Sequence, residues 1–348
     1  MMKAKGMKAV TLAGMLAAGM SMGTNVWASV PTVGTGTEAE PAKVSITKNL
    51  EIADGITVPK TEFTFAFTKV TEDAPDIAVK TVSYFDTDKA ADHVVTKSTE
   101  NIFEGVEFPH AGEFLYKLKE TAGTIDVQSG KMTYDTSEYT VHVYVKNSAE
   151  GIYISDVTAE KNGKKQSSID FLNTFQKSTS LTVSKKTAGD LADKTKKFSF
   201  AITFTKAPTC SEDSFLSNGE TYKYGEEYTF ELADSDDITF EIPAGTTYEV
   251  VEKAAADGYS PKVVVVENGG TPKMTEAQDA DSLSSAAVND GEKNLAGEGV
   301  NTVEFTNTHH ASPVTGVNVS ILPFIAMMLA SAAGLAGCVF GRRHRMAR

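Results

Sequence analysis

Six polar residues stand where strand-patterned sequence would carry apolar ones. Phe114, Tyr116 and Leu118 alternate at a period of two and run into Glu120; Tyr248 and Val250 run in the same way into Glu252. Strand side chains alternate faces, so residues two apart share one. Lys48 continues the phase of Val44 and Ile46, and Lys185 that of Leu181 and Val183, which leaves Lys186 facing water. Asn173 is in phase with Ile169, Phe171 and Phe175, and Asn307 with Val303 and Phe305. Each half of the chain thus aims one Lys, one Glu and one Asn at its core.

Three readings are open. Each residue could close its strand at the solvent rim, where these types are usually found. A structural Lys–Glu ion pair with Asn beside it would also satisfy the rule that buried charges are paired. The third reading is chemistry. Burial lowers the pKa of Lys and raises that of Glu. A neutral Lys amine is a nucleophile, and an Asn carboxamide held against it is an acyl donor. A protonated Glu polarises the amide and passes protons to the departing ammonia. The product is a Lys–Asn isopeptide bond, made once per domain by the chain on itself, with proximity supplied by folding. The same three types in the same order and phase in both halves favour pairing or chemistry over the rim.

The elements that must hold these groups are strands. Glu62–Phe67, Tyr139–Val145 and Phe198–Phe204 alternate at a period of two, are rich in Thr, Val, Phe and Tyr, and are bounded by Gly, Asp, Asn and Pro. No long amphipathic helix appears between the ends. Such runs with turn signals predict an all-β chain of β-sandwiches. Lys48, Glu120 and Asn173 recur at Lys185, Glu252 and Asn307 with offsets of roughly 130–140 residues, the mark of tandem copies. The expected domains are 43–178 and 179–311, after a linker at 29–42, with Asn268–Gly299 as a long surface loop in the second copy.

The two ends give an address. Residues 1–28 carry three Lys, an apolar run from Ala9 to Met22 and Val26-Trp27-Ala28, the pattern of a cleaved signal peptide; an uncleaved anchor is the alternative. Val317–Phe340 has no charge and is long enough for a bilayer span of about 20 residues. The expected membrane helix is 317–341, and the tail 342–348, with Arg342, Arg343, Arg345 and Arg348, should stay cytoplasmic. Just before the span stands Ser312-Pro313-Val314-Thr315-Gly316. Its Pro-x-Thr-Gly element, followed by span and tail, resembles the cell-wall sorting signal of Gram-positive surface proteins, with Ser312 where Leu is usual. That resemblance implies sortase cleavage between Thr315 and Gly316 and transfer of the Thr carboxyl to an amine; a permanently anchored ectodomain is the alternative.

Composition excludes several classes. The 348 residues carry 33 Lys+Arg against 46 Asp+Glu, a formal charge of −13, and all the acids lie between the two ends. There Lys is the sole cation and no Trp occurs. Nucleic acid, whose phosphates need basic patches, is not expected as a partner. Cys338 lies in the apolar tail and Cys210 stands alone, so no disulfide framework exists. His309-His310 lacks companion ligands and reads as linker, not metal site. The Asp234–Asp237 run lacks calcium-loop spacing and reads as a solvated turn. Neither phosphate loop nor hydrolase triad is present, so no cofactor and no turnover enzyme are expected.

The strand-ending Lys, the Tyr-x-x-x-Glu strand and the Phe-x-Asn strand, with Tyr134–Val141 beside them, resemble the pilin isopeptide-linkage domains of Gram-positive backbone (major) pilins. The likeness covers roughly residues 43–316. It implies immunoglobulin-like (CnaB-like) sandwiches and two bonds, Lys48–Asn173 with Glu120 and Lys185–Asn307 with Glu252. It also implies head-to-tail polymerisation, the Thr315 carboxyl of one subunit joined to a Lys of the next. By that resemblance the Lys follows a Gly shortly before the last strand of the first domain. Lys165 keeps the Gly-x-Lys spacing in Lys161-Asn162-Gly163-Lys164-Lys165, with Lys164 and Lys161 as alternatives. The implied partners are identical subunits, a pilus sortase, peptidoglycan and minor pilins. The implied product is a pilus shaft on the cell wall, and the competing reading is a monomeric adhesin or minor pilin holding a host ligand.

Overall fold

A computed structural model describes residues 35–121, 123, 130–254, 258–277 and 282–309. The signal peptide, the sorting motif with Pro313, Thr315 and Gly316, the span 317–341 and the tail 342–348 lie outside the described residues. Among the described residues no helix is long and apolar enough to cross a membrane. The described chain is all-β and divides into two compact units. One is drawn from residues 35–50, 59–121 and 133–173, the other from 51–58, 130–132 and 174–309.

In the first part of the chain the strands are β1 (Thr47–Ile52), β2 (Thr61–Lys69), β3 (Lys80–Tyr84), β4 (Val94–Ser98) and β5 (Gly112–Thr121). They continue as β6 (Lys131–Thr133), β7 (Glu138–Asn147), β8 (Ile152–Lys161), β9 (Lys164–Gln166) and β10 (Asp170–Gln176). A six-stranded antiparallel sheet runs β3-β2-β5-β7-β8-β9, and a four-stranded sheet runs β4-β1-β10-β6. Alternation in sequence becomes alternation in space. Tyr139, Val141, Val143 and Val145 of β7 are buried, whereas the residues between them are half-buried. Phe171 of β10 lies 5.1 Å from Phe65 of β2 and 5.2 Å from Tyr139, ring to ring, so the inner faces of the two sheets meet.

The second part comprises β11 (Ser178–Ala188), β12 (Phe198–Thr205), β13 (Ser214–Ser217), β14 (Glu220–Lys223), β15 (Glu227–Leu232) and β16 (Asp237–Pro243). It continues as β17 (Thr246–Lys253), β18 (Tyr259–Val266), β19 (Lys273–Glu276), β20 (Ser282–Ser284), β21 (Asn294–Ala296) and β22 (Asn301–His309). One sheet runs β16-β11-β22-β18-β19; the other runs β15-β12-β17-β20, with β21 also on β17 and β13-β14 as a separate hairpin. The first and last strands, β11 and β22, pair in parallel. Phe200 and Phe305 meet between the sheets at 5.2 Å, as Phe65 and Phe171 do in the first unit.

The expected loop Asn268–Gly299 is corrected here. It contains β19, β20, a 3-10 turn at Ser285–Asn289 and β21. Leu283, Ala286 and Ala296 are buried, and the Ser285 hydroxyl accepts from Val250 N at 2.9 Å. The Asp234–Asp237 run is also more than a solvated turn. Lys185 N donates to Asp236 O at 3.0 Å and Ser235 N to Lys185 O at 2.9 Å, so this hairpin clamps the Lys185 backbone from both sides.

Candidate functional site

The phase argument places all six polar residues correctly. Lys48, Asn173, Lys185, Glu252 and Asn307 are fully buried, and the Glu120 side chain is fully buried although its backbone is partly exposed. Lys186 is exposed, its amine on Glu304 at 2.6 Å.

The frame is the same in both units. In the second, Lys185 pairs with Phe305 and Thr187 with Asn307 across the parallel β11–β22 ladder. Lys185 and Asn307 are therefore diagonal neighbours pointing to one face. Glu252 reaches them from β17 in the opposite sheet, where its strand partner is Phe200. In the first unit β1 and β10 are neighbours, Glu120 comes from β5, and its strand partner is Phe65. A phenyl ring lies under each amine: Lys48 Nζ is 4.6 Å from the Phe63 centroid and Lys185 Nζ is 4.1 Å from that of Phe198. In the first unit the Tyr84 hydroxyl donates to Lys48 O at 2.6 Å, holding the strand from which the amine projects.

The three side chains touch. Lys48 Nζ donates to Glu120 Oε2 at 2.7 Å, and Asn173 Nδ2 donates to Glu120 Oε1 at 2.5 Å. In the second unit Lys185 Nζ is 3.0 Å from Glu252 Oε1, an ion-pair distance without hydrogen-bond alignment, and Asn307 Nδ2 donates to the same oxygen at 2.8 Å. The carboxyl stands between amine and carboxamide in both. Burial pulls Lys48 down and pulls Lys185 down to about 8, against the opposing pull of the glutamate in each case. Burial likewise pushes Glu120 and Glu252 up, against the opposing lysine. Both shifts favour the uncharged amine and acid.

The sites differ in one respect. Asn173 Oδ1 accepts from Asp135 N at 2.7 Å, whereas among the described residues Asn307 Oδ1 accepts no hydrogen bond. Sequence reasoning did not single out Asp135, since a backbone donor leaves no signal in residue type. It also missed a third set of the same types. Lys273 Nζ donates to Glu267 Oε2 at 2.8 Å and to Asn289 Oδ1 at 2.7 Å, and Asn289 Nδ2 donates to Glu267 Oε1 at 3.0 Å. Here the Lys side chain is 51% exposed. Burial pushes Glu267 up, but hydrogen bonds from Lys273, Leu295 N and Asn289 together outweigh it and draw the carboxyl below the usual range.

The lysine cluster of the first unit lies on a hairpin. Asn162 (φ 53°) and Gly163 (φ 70°) form a two-residue turn with both φ positive, the mirror-image turn that matches strand twist. It pairs Lys161 with Lys164 and Glu160 with Lys165 and makes β9 the edge of its sheet. Lys165 lines a groove of about 430 Å³ with Tyr144, Lys146, Ser155, Asp156 and Thr158. Lys164 is exposed, and Lys161 Nζ stands 5.4 Å over the Tyr139 ring. His309 packs edge-on against Tyr259 at 4.8 Å. Among the described residues no cluster of three or more His, Cys, Asp or Glu could hold a metal ion.

Comparison with known proteins places this geometry. Residues 44–176 match the family described as Spy0128-like isopeptide containing domain, and residues 179–309 match a Domain of unknown function (DUF7601). The chain is 29% identical over 329 residues to the protein named Pilin of Streptococcus pyogenes serotype M1, covering 87% of this chain and 92% of that one. It is similar to the crystal structure of the major pilin from Streptococcus pyogenes (27% identity, 77% of this chain and 99% of that one, TM-score 0.38). It is also similar to the major pilin protein T3.2 from Streptococcus pyogenes serotype GAS13637 (26% identity, 78% and 98%, TM-score 0.37). Residues 44–176 thus carry a Spy0128-like isopeptide containing domain, and the chain as a whole is similar in sequence to a streptococcal pilin.

Proposed function

We propose that this chain is a pilin, the shaft subunit of a covalently polymerised surface pilus, and that each half closes one Lys–Asn bond on itself. The domains are 43–178 and 179–311, immunoglobulin-like (CnaB-like) sandwiches, with Lys48–Asn173 and Lys185–Asn307 as the bonds. The observation that carries the reading is the pair of buried triads, in which one glutamate contacts amine and carboxamide together. In each, the Lys Nζ–Asn Cγ bond forms, the Cγ–Nδ2 bond breaks and ammonia leaves. Glu120 or Glu252 takes the lysine proton and hands it to the departing nitrogen. Each site turns over once, so the chain is its own substrate and not an enzyme with an external one.

Export follows from the signal peptide at 1–28, and linkage from the motif 312–316 ahead of the span 317–341. A pilus sortase cuts after Thr315 and joins its carbonyl to Lys165 of the next copy; the base of the polymer is attached to peptidoglycan. Lys165 is preferred over Lys164 and Lys161 because it alone of the three lines the groove on its sheet face, which gives an incoming acyl chain a seat. Cell-wall extracts should show a high-mass ladder that survives boiling in detergent and is lost in Lys165→Ala. A single band in the unaltered strain would instead mark a monomeric adhesin, and a ladder persisting in Lys165→Ala would move the linkage to another lysine.

A further inference from the structure

We propose that the backbone N–H of Asp135 is the oxyanion donor for closure of the Lys48–Asn173 bond, and that the Asp135 side chain positions it. The inference rests on the bond-forming reading above and adds a group outside the triad. Asp135 N meets Asn173 Oδ1 at 2.7 Å, within the 2.7–3.1 Å range of effective oxyanion donors. Asp135 Oδ2 accepts from Leu172 N at 3.0 Å, on the strand that carries Asn173, and Oδ1 accepts from Ser137 N at 2.8 Å. These bonds tie the turn before β7 to β10 and hold the N–H on its target. Burial of the Asp135 carboxyl raises its pKa, but the donors from Ser137 and Leu172 outweigh it and keep the group ionised.

The N–H also fixes which way the carboxamide faces. An N–H must meet an acceptor and a carboxylate a donor, so Oδ1 lies on Asp135 and Nδ2 on Glu120. The leaving nitrogen therefore already faces its proton source. Lys48 passes a proton to Glu120 and its lone pair attacks Cγ; the carbonyl pair moves onto Oδ1, where the Asp135 N–H receives the charge. Glu120 then protonates Nδ2 and ammonia leaves as the carbonyl re-forms. The last extra proton on the lysine nitrogen returns to Glu120. Atoms and charge balance with no outside reactant. The second unit has no such donor on Asn307 Oδ1 among the described residues and serves as the internal standard.

The test is a time course of the full chain made by cell-free translation, quenched in acid, digested and quantified for each cross-linked peptide. Malic acid incorporated at position 135 replaces that N–H by an ester oxygen and leaves every side chain in place; Asp135→Ala releases the side-chain tether instead. Loss of one oxyanion donor slows reactions by about 10²–10³. The ester should therefore slow Lys48–Asn173 closure by that factor with the pH edges of the reaction unmoved. Asp135→Ala should slow it by about tenfold or more, and Lys185–Asn307 should keep its rate in both. Closure of Lys48–Asn173 at the unaltered rate in the ester would overturn the proposal. Absence of both cross-linked peptides from the unaltered chain would sink the bond-forming reading itself.

Discussion

Asn307→Ala removes the acyl donor of the second unit while leaving the Lys185–Glu252 contact and the Phe198 ring beneath it. The bond from Lys185 to Asn307 joins the first and last strands of its sheet pair and closes a loop of about 120 residues. Treated as a chain constraint on the unfolded state, a closure of that span is worth about 5 kcal/mol at 25 °C. A unit of this size shifts its melting midpoint by about 3 °C per kcal/mol. Calorimetry should therefore show the second unit of Asn307→Ala melting about 15 °C lower, with the first unit unchanged. Lys186→Ala, which alters an exposed neighbour, is the control and should shift little. A midpoint within about 5 °C of the unaltered chain, in protein whose mass proves the bond was present before substitution, would refute the loop-entropy reasoning.

Three other outcomes follow from the same geometry. Glu120→Ala and Glu252→Ala should each restore one ammonia equivalent of mass, because each carboxyl contacts both reacting partners; mass unchanged in either would remove the glutamate from the chemistry. Closure of Lys185–Asn307 should be flat with pH near neutrality, since neutral amine plus acid holds as many protons as the ion pair. It should fall above about pH 8, where the buried amine and acid lose their shared proton, and fall again in acid when the pair gains a second; a rate rising steadily to pH 10 would contradict this. The Lys273–Glu267–Asn289 set should stay open, because it has the contacts but neither the burial nor a raised carboxyl. A Lys273–Asn289 cross-linked peptide would show that contact alone suffices.

The triads were legible because burial imposes a period of two on a strand, and a charged residue kept in that phase is conspicuous. Phase alone tells Lys185 from Lys186. What sequence withheld was contributed by backbone or by long-range packing. The Asp135 N–H carries no residue-type signal. The clamp on Lys185 comes from amides and carbonyls of the Asp234–Asp237 hairpin, whose carboxylates suggested only solvent. The segment Asn268–Gly299 reads as loop because Gly, Ala and Ser lack strand propensity, yet Ala286 and Ala296 are buried in it. Spacing to a glycine points to Lys165; its place on the groove follows from the Asn162-Gly163 turn, which fixes the register of β9 on β8.

The central claim, that both halves seal themselves with a Lys–Asn bond, is tested most directly by the intact mass of the purified full chain, joined to a peptide map. Two closures require a mass below the sequence value by two ammonia equivalents, with Lys48 joined to Asn173 and Lys185 joined to Asn307. A mass equal to the sequence value after allowance for leader removal, or peptides in which these four residues are unmodified, would contradict it.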